Sequence, residues 1–314
     1  MSDRPAALAD AYAACEALAR SHYENFPVAS YLLPAAMRPH VAALYAFARV
    51  ADDYADEGSA SAETRRSRLS DWRERLHRAA ATPVGPYSGG IDGASGPGDL
   101  DERILMAMGH SIRSLGLPIA LFDDLMSAFG QDTMTKRYGS WRDVLDYCRR
   151  SANPVGRLVL RIAGYSDQRL DRSSDAMCTA LQLTNFWQDL GRDWRNGRLY
   201  VPGEVVRASG AVEDDLNGER LTVAWARALE ACVAFTRERF EEGRAVCDGV
   251  RGRLRVELRF TWLGGMRILD RVERGRFDIL HRRPTLGVAD VPLLVGRAIR
   301  WRGAHPDHAN GRPK

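Results

Sequence analysis

Residues 41–56 read VAALYAFARVADDYAD, an apolar run that ends in a cluster of aspartates. Apolar side chains occupy nearly every side of this segment before its acidic end, which predicts a central, buried helix. Helical spacing places four side chains on one stripe, namely Tyr45, Arg49, Asp52 and Asp56. The stretch therefore predicts a buried helix whose last turns carry carboxylates one turn apart.

A second stretch, residues 181–194, repeats this arrangement with the sequence LQLTNFWQDLGRDW. The polar side chains that share one stripe are Gln182, Asn185, Asp189 and Asp193. Large apolar side chains fill the other faces of the segment. Oxygen donors are thus expected on a second buried helix.

Carboxylates stacked one turn apart repel each other, and their burial is costly unless cations or donors compensate. Mg²⁺ suits such a site, because it binds a few carboxylates, keeps several waters and takes phosphate oxygens. Two facing acidic helices are therefore expected to hold Mg²⁺ around a diphosphate, while apolar surroundings shelter a hydrocarbon chain and a carbocation. A single pair of this kind is more often a solvated acidic face, whereas two pairs favour a site.

Some of these residues have alternative interpretations. Arg49 is compatible with a salt bridge or with a diphosphate contact. Tyr45 and Tyr147 are compatible with core aromatics or with side chains that stabilise a cation.

Helical periodicity runs through most of the chain, and alternating β-branched segments are nearly absent. The predicted helices are 6–20, 39–57, 62–80, 101–115, 118–129, 141–163, 173–195, 222–247 and 252–276. We therefore predict an all-α protein with one helical domain over residues 1–301. The glycine- and proline-rich stretch 81–100 is predicted to be a mobile surface insertion, and residues 302–314 a disordered tail.

Composition excludes several other classes of protein. The net charge is only +4, and no segment combines clustered basic residues with interleaved aromatics, so no nucleic-acid partner is expected. The five cysteines lack CxxC spacing, which argues against a disulfide framework or a zinc site and favours a reducing cytoplasm. No stretch of about 18 apolar residues predicts a membrane span. Residues 286–301 fit an ordinary amphipathic terminal helix or a transient contact with a membrane surface.

From about His22 to Arg283, leaving out the insertion, the chain resembles the squalene and phytoene synthase family. The matching motifs are DDYADE at 52–57, the segment 146–156, the pattern Gln182-x-x-Asn185-x-x-x-Asp189-x-x-x-Asp193, and GRLYVP at 197–202. The resemblance implies an isoprenoid synthase helical bundle with a central cavity and a prenyl diphosphate substrate. It also implies two or three Mg²⁺ ions, with Asp52, Asp56, Asp189 and Asp193 as the metal ligands.

The same resemblance assigns further roles. Substrate binding is implied for His22, Arg49, Gln182, Asn185 and Arg282, and catalytic roles for Tyr45, Arg49, Tyr147, Asn185 and Gln188. The chain departs from the usual family pattern in three places: in the HYENF segment at 22–26, at Gln188 where arginine is usual, and at Arg192 where glutamate is usual. Gln188 and Asn153 would support a water near the cation, or would merely satisfy helix packing.

These departures resemble the bacterial hydroxysqualene-forming members found in hopanoid pathways. That likeness implies conversion of presqualene diphosphate and water to hydroxysqualene, without a nicotinamide cofactor. It further implies functional coupling to a presqualene diphosphate synthase and a flavin-dependent hydroxysqualene reductase.

Three alternatives stay open. Another head-to-head reaction of the family is the nearest, giving presqualene diphosphate, squalene or phytoene. A di-iron bundle requires Glu-x-x-His motifs, which none of the seven histidines provides. A non-catalytic scaffold would bind its partners through arginine-rich faces.

Overall fold

Helices dominate the computed structural model, which describes residues 4–21, 32–56, 60–82 and 100–301. No strand occurs in these described ranges, and an isolated bridge joins Arg137 to Leu199. The predicted all-α class is confirmed. The predictions for residues 22–26 and 302–314, and for most of the 81–100 insertion, lie outside the described residues.

The α-helices are numbered along the chain. They are α1 (Arg4–Ser21), α2 (Arg38–Asp56), α3 (Ala62–Ala81), α4 (Leu100–Leu115), α5 (Ile119–Asp132), α6 (Trp141–Ser151), α7 (Asn153–Ile162), α8 (Gln168–Gln188), α9 (Leu190–Arg195), α10 (Gly203–Ser209), α11 (Val223–Gly243), α12 (Val246–Gly249), α13 (Gly252–Arg274) and α14 (Val291–Ile299). Short 3₁₀ turns cover Glu213–Asn217, Arg276–Asp278 and Val288–Asp290.

The chain divides into two compact units. The first unit comprises residues 1–135 and 149–166, and the second comprises residues 136–148 and 167–314. The proposal of one domain over residues 1–301 stays a prediction.

Helix α2 is the central element of the first unit, where it contacts α1, α3, α4, α5 and α7. Its buried face is built largely from alanines, which let neighbouring helices approach closely, together with Leu44 and Phe47. Phe47 is fully buried and stacks on Trp72 of α3 with ring centroids 5.6 Å apart. The Trp72 indole N–H also donates to the Phe47 carbonyl at 3.3 Å. Truncation of Phe47 to alanine would cost about 3–5 kcal/mol.

Helix α8 has the corresponding place in the second unit, packed against α11 and α13. Trp187 of α8 is fully buried, and its indole N–H donates to the Thr236 hydroxyl of α11 at 2.8 Å. This hydrogen bond satisfies a polar atom that would otherwise be costly to bury. Both acidic stretches of the sequence are therefore carried by helices that are central to their own units.

Three of the predicted helices are interrupted. The predicted helix 222–247 ends at Gly243, and a new helix begins at Val246. The predicted helix 141–163 ends at Ser151 and restarts at Asn153, because Pro154 lacks an N–H and restricts the residue before it. The predicted helix 173–195 ends at Gln188, and Asp189 takes φ −98° and ψ 9° before α9 begins. The second acidic stretch thus lies at a junction between two helices.

None of the helices in the described ranges is long and apolar enough to cross a membrane.

Candidate functional site

The first acidic cluster consists of Arg49, Asp52, Asp53 and Asp56 at the end of α2. Asp52 and Asp53 are partly exposed, and Asp56 is exposed, whereas the neighbouring Ala51 and Ala55 are buried. The predicted stripe therefore lies on the accessible side of a helix whose other faces are in the core. Tyr45, which is 37% exposed, lies on the same side.

Arg49 supplies the positive charge of the first acidic cluster. Its guanidinium pairs with the carboxylate of Asp53 and lies 3.6 Å from an oxygen of Asp52. Partial burial acts to lower the pKa of Arg49, but the Asp53 and Asp52 carboxylates outweigh it and raise that pKa. All these charges come from residues of a single helix.

The second acidic cluster consists of Gln188, Asp189, Asp193 and Arg283. Asp189 is buried, with 7% of its surface exposed, and both of its oxygens accept hydrogen bonds from Arg283, at 2.5 and 3.1 Å. Hydrogen bonding to Asp189 raises the pKa of Arg283, with burial acting against it and the charge of Asp193 in support. A two-pronged arginine–carboxylate pair of this kind fixes both distance and direction.

The chain segment that carries Arg283 is fastened to the α8–α9 junction at several points. The Gln188 amide donates to the Pro284 carbonyl at 2.5 Å, and Arg195 donates to the Leu280 carbonyl at 2.8 Å. Gly191 lies so close to Leu280 that a Cβ there would come within 2.0 Å of the Leu280 carbonyl oxygen. Only glycine permits this approach, which brings residues 280–284 against Asp189.

The remaining polar residues of the second stripe are accessible. Asn185 is exposed, and Gln182 and Asp193 are partly exposed, whereas residues 183, 184 and 186–188 of α8 are buried. Arg282, for which the sequence predicts a diphosphate contact, is exposed, and its neighbour Arg283 makes the contact with Asp189. His22 lies outside the described residues.

Tyr147 belongs to an aromatic group in the second unit. Its ring lies 5.7 Å from Tyr138, 6.0 Å from Phe186 and 6.1 Å from Tyr200. Phe186 and Tyr200 stack with centroids 3.8 Å apart. Tyr147 is buried, so the structure places it among packed aromatics that adjoin Asn185 along α8.

The donor set of each acidic cluster fits Mg²⁺ held mainly through a bound phosphate. No group of three or more histidine, cysteine or acidic side chains that could hold a metal ion occurs within the described ranges. Mg²⁺ needs only one or two carboxylates when waters and phosphate oxygens complete its shell. Asp52 with Asp56, and Asp189 with Asp193, supply such pairs.

Comparison with known proteins identifies the group to which this chain is related. A family model described as squalene/phytoene synthase matches residues 19–290. The chain belongs to the squalene/phytoene synthase family. It is therefore an enzyme of the head-to-head prenyl synthase type.

Individual relatives within the squalene/phytoene synthase family carry two kinds of name. A hydroxysqualene synthase of Zymomonas mobilis is 36% identical over 217 residues, which cover 68% of this chain and 66% of that protein. A hydroxysqualene synthase of Rhodopseudomonas palustris is 32% identical over 230 residues, covering 73% of this chain and 72% of the relative. A phytoene synthase of Thermus thermophilus is 26% identical over 311 residues, covering 98% and 99%.

Solved structures of the squalene/phytoene synthase family share the fold. Squalene synthase HpnC from Alicyclobacillus acidocaldarius superposes with a TM-score of 0.75 at 38% identity, covering 85% of this chain and 94% of that one. A dehydrosqualene synthase in complex with a ligand gives a TM-score of 0.78 at 19% identity, which supports the fold alone. The predicted isoprenoid synthase fold is confirmed.

Sequence reasoning missed two residues of the acidic clusters. Asp53 pairs with Arg49, and the four-residue spacing of opposite charges on one helix is a signal that could have indicated this pair. Arg283 pairs with Asp189 from 94 positions further along the chain, and nothing in local spacing distinguishes it from Arg282.

Proposed function

We propose that the chain converts presqualene diphosphate and water into hydroxysqualene and diphosphate in a magnesium-dependent reaction. The observation that carries this proposal is the pairing of each acidic cluster with an arginine. Arg49 and Arg283 hold positive charge beside carboxylates that would otherwise repel one another. Such mixed clusters suit a ligand that brings both metal ions and phosphate oxygens.

The names of the relatives support this choice of substrate and product. Relatives that are 32–36% identical are hydroxysqualene synthases, whereas the Thermus thermophilus phytoene synthase is 26% identical. Gln188 and Arg192, which replace the arginine and glutamate usual in the family, also favour the hydroxysqualene-forming reaction. Gln188 donates its amide to Pro284, so its proposed role is to position the segment that carries Arg283.

The proposed reaction balances without a redox partner. The C–O bond to diphosphate breaks, and the leaving group keeps the electron pair. The resulting cyclopropylcarbinyl cation rearranges, and a water oxygen then bonds to the cationic carbon. The added water loses a proton to the released diphosphate or to bulk water, so no nicotinamide cofactor is needed.

The residues of the chain have separate roles in this proposal. Asp52, Asp56, Asp189 and Asp193 would hold Mg²⁺, which when bound supplies Lewis-acid stabilisation of the diphosphate oxygens. Arg49 and Arg283 would bind the diphosphate oxygens directly. Aromatic rings such as Phe186 and Tyr200 would stabilise the carbocation until a water captures it.

The experiment that tests this proposal is a single-enzyme incubation in ¹⁸O-labelled water. Purified protein is mixed with Mg²⁺ and presqualene diphosphate, without a reductant, and the products are analysed by mass spectrometry. The expected product is hydroxysqualene that carries one ¹⁸O atom. A parallel sample with EDTA should form no product.

The alternative within the family is tested in the same series. Farnesyl diphosphate replaces presqualene diphosphate, with and without NADPH. Consumption of farnesyl diphosphate as sole substrate, or an oxygen-free hydrocarbon product from presqualene diphosphate, would overturn the proposed reaction. A presqualene diphosphate synthase to supply the substrate and a reductase to consume the alcohol are the partners that this chemistry requires.

A further inference from the structure

Helix α14 exposes an apolar stripe. At about 100° per residue, steps of four place Val291, Val295 and Ile299 along one side of the helix. Ile299 is 79% exposed and Val288, just before the helix, is 88% exposed. Isolated exposed apolar residues are normal, but a continuous stripe at one end of a unit indicates a contact surface.

The side of α14 that faces the protein is a different one. Leu294 is buried, and α14 packs against α13. Asp290, at the start of the helix, is 3% exposed and accepts hydrogen bonds from Arg267 and Arg271 at 3.1 and 2.7 Å. These contacts fix the helix on the second unit and leave the apolar stripe outward.

Positive charge borders the apolar stripe. Arg297 and Arg300 are exposed, and residues 291–301 contain no acidic side chain. A groove beside the helix is lined by Arg244, Trp262, Leu263, Arg297, Arg300 and Trp301. The surface therefore combines apolar side chains, tryptophan rings and arginines.

Trp301 anchors the groove at the end of α14. Its ring lies edge-on to Trp262 at 5.3 Å, and its indole N–H donates to Asp248 at 3.0 Å. The guanidinium groups of Arg244 and Arg259 lie over the Trp301 ring at 4.7 and 5.2 Å. Tryptophan and arginine in such an arrangement are typical of the boundary between water and lipid.

We infer that α14 and this groove form a docking surface for an anionic phospholipid bilayer. The valines and Ile299 would enter the region between head groups and acyl chains, while Arg297 and Arg300 would contact lipid phosphates. A second copy of the chain is disfavoured as the occupant, because a two-fold contact through α14 would gather the arginines of both copies without an acidic residue from 291–301 to pair with them. The proposed function supports this inference, because the proposed substrate and product carry long hydrocarbon chains. The surface itself is defined by α14 and the groove alone.

The test is vesicle flotation of the full chain, without substrate or Mg²⁺. Vesicles contain phosphatidylcholine alone or an equal mixture with phosphatidylglycerol. The unsubstituted protein should bind the anionic vesicles, and less well at high salt. Ile299→Asp should weaken this binding on the order of tenfold, and the double variant Arg297→Gln/Arg300→Gln by a somewhat larger factor, since each arginine near an anionic surface is worth about fivefold.

Matched control variants separate the surface from general changes of charge. Val223→Asp places an acid at another exposed valine, at the start of α11, and Arg253→Gln removes an exposed arginine from α13. Both controls should bind vesicles like the unsubstituted protein, and thermal unfolding should match for all variants.

Several outcomes would overturn the inference. These are no binding of the unsubstituted protein, equal binding by the α14 variants, or loss of a dimer on Ile299→Asp in light scattering. Turnover of detergent-dispersed presqualene diphosphate is measured on the same proteins. Vesicle binding without turnover would count against the proposed function alone.

Discussion

The two acidic clusters differ in the origin of the arginine that neutralises their carboxylates. In the first, Arg49 lies on the same helix as the carboxylates and pairs with Asp53 four residues further on. Arg49, Asp52 and Asp53 are all partly exposed. In the second, Asp189 is 7% exposed, and its counter-ion Arg283 comes from 94 positions later in the chain. The first pair is local and both of its partners are partly exposed, whereas the second is long-range and its carboxylate is buried.

The two ion pairs should therefore contribute differently to the stability of the fold. An ion pair between residues of one helix that is in contact with water contributes about 0.3–0.5 kcal/mol, so the first acidic cluster can exchange its arginine contacts at little cost. Removal of one partner from a buried pair costs about 3–5 kcal/mol. The second acidic cluster should therefore couple ligand binding to the folding of its unit more strongly than the first.

The largest expected effect is the loss of enzymatic turnover when an aspartate of either cluster is replaced. Asp52→Asn and Asp189→Asn should each lower turnover of presqualene diphosphate on the order of a hundredfold or more, because a proposed metal ligand is removed. Steady-state product formation at saturating Mg²⁺ measures this. Asp214→Asn, which changes an exposed aspartate of the second unit, should retain activity. Full activity of either cluster variant would refute the assignment of that cluster.

A stability measurement should distinguish the two arginines. Arg283→Gln leaves the buried Asp189 without its counter-ion and should lower the free energy of unfolding by about 3 kcal/mol. Arg49→Gln should lower it by less than about 0.5 kcal/mol. Urea unfolding monitored by circular dichroism tests both variants. Equal costs would mean that burial does not separate the clusters.

The second unit should also respond to alkaline pH through Glu257. Burial raises the pKa of this carboxyl to about 8 from an ordinary 4.5. Because the folded state keeps a proton that the unfolded state releases, stability is full below about 4.5 and falls as pH rises through about 8. This carboxyl should lower the free energy of unfolding on the order of 4 kcal/mol between pH 4.5 and pH 8, and Glu257→Gln should remove that loss. An unchanged slope in urea unfolding across this range would contradict the prediction.

The first unit should show a smaller, opposite dependence on pH. His40 and His110 both hydrogen-bond to the Tyr12 hydroxyl, at 3.2 and 2.8 Å. Burial lowers the pKa of each imidazole, with the neighbouring His110 adding to the effect on His40 and Arg113 to that on His110. Stability is therefore present above about pH 6.5 and declines as pH falls below it. The change should stay below about 1 kcal/mol because both rings are partly exposed.

Replacement of one ring tests this acid dependence. His40→Gln should flatten the loss of stability between pH 7 and pH 5, as measured by thermal unfolding. His281→Gln changes an exposed imidazole and serves as the control. If both variants behave alike, the Tyr12 contacts do not set the pH response.

Local periodicity was sufficient to predict the class of the fold and most of its helices. Apolar residues on almost every side of 41–51 correctly indicated that α2 is central to its unit. The breaks at Ala152, at Asp189 and at residues 244–245 were missed, although Pro154 signals the first of them. The second lies beside the close approach of Gly191 to Leu280, two residues that meet only in the folded chain.

The candidate site was predictable to the extent that it is helical. The spacing placed each set of polar side chains on one stripe of a helix. The structure leaves most of these side chains accessible, while Asp189 is buried by contacts from outside its helix. Arg283 could not be separated from Arg282, because residues 279–286 form no helix whose period would orient them. The roles proposed for His22, Gln182, Tyr45 and the other site residues all stay predictions.

The distance along the chain between Asp189 and Arg283 has a consequence for protein synthesis. A ribosome completes α8 well before it reaches residue 283, so the Asp189 carboxylate emerges without the guanidinium that later neutralises it. Until then the unpaired Asp189 carboxylate favours exposure of the α8–α9 junction to water. The α8–α9 junction can thus reach its native, buried form only after residue 283 has been synthesised. Nascent chains released before that point should retain an open, protease-sensitive junction at Asp189.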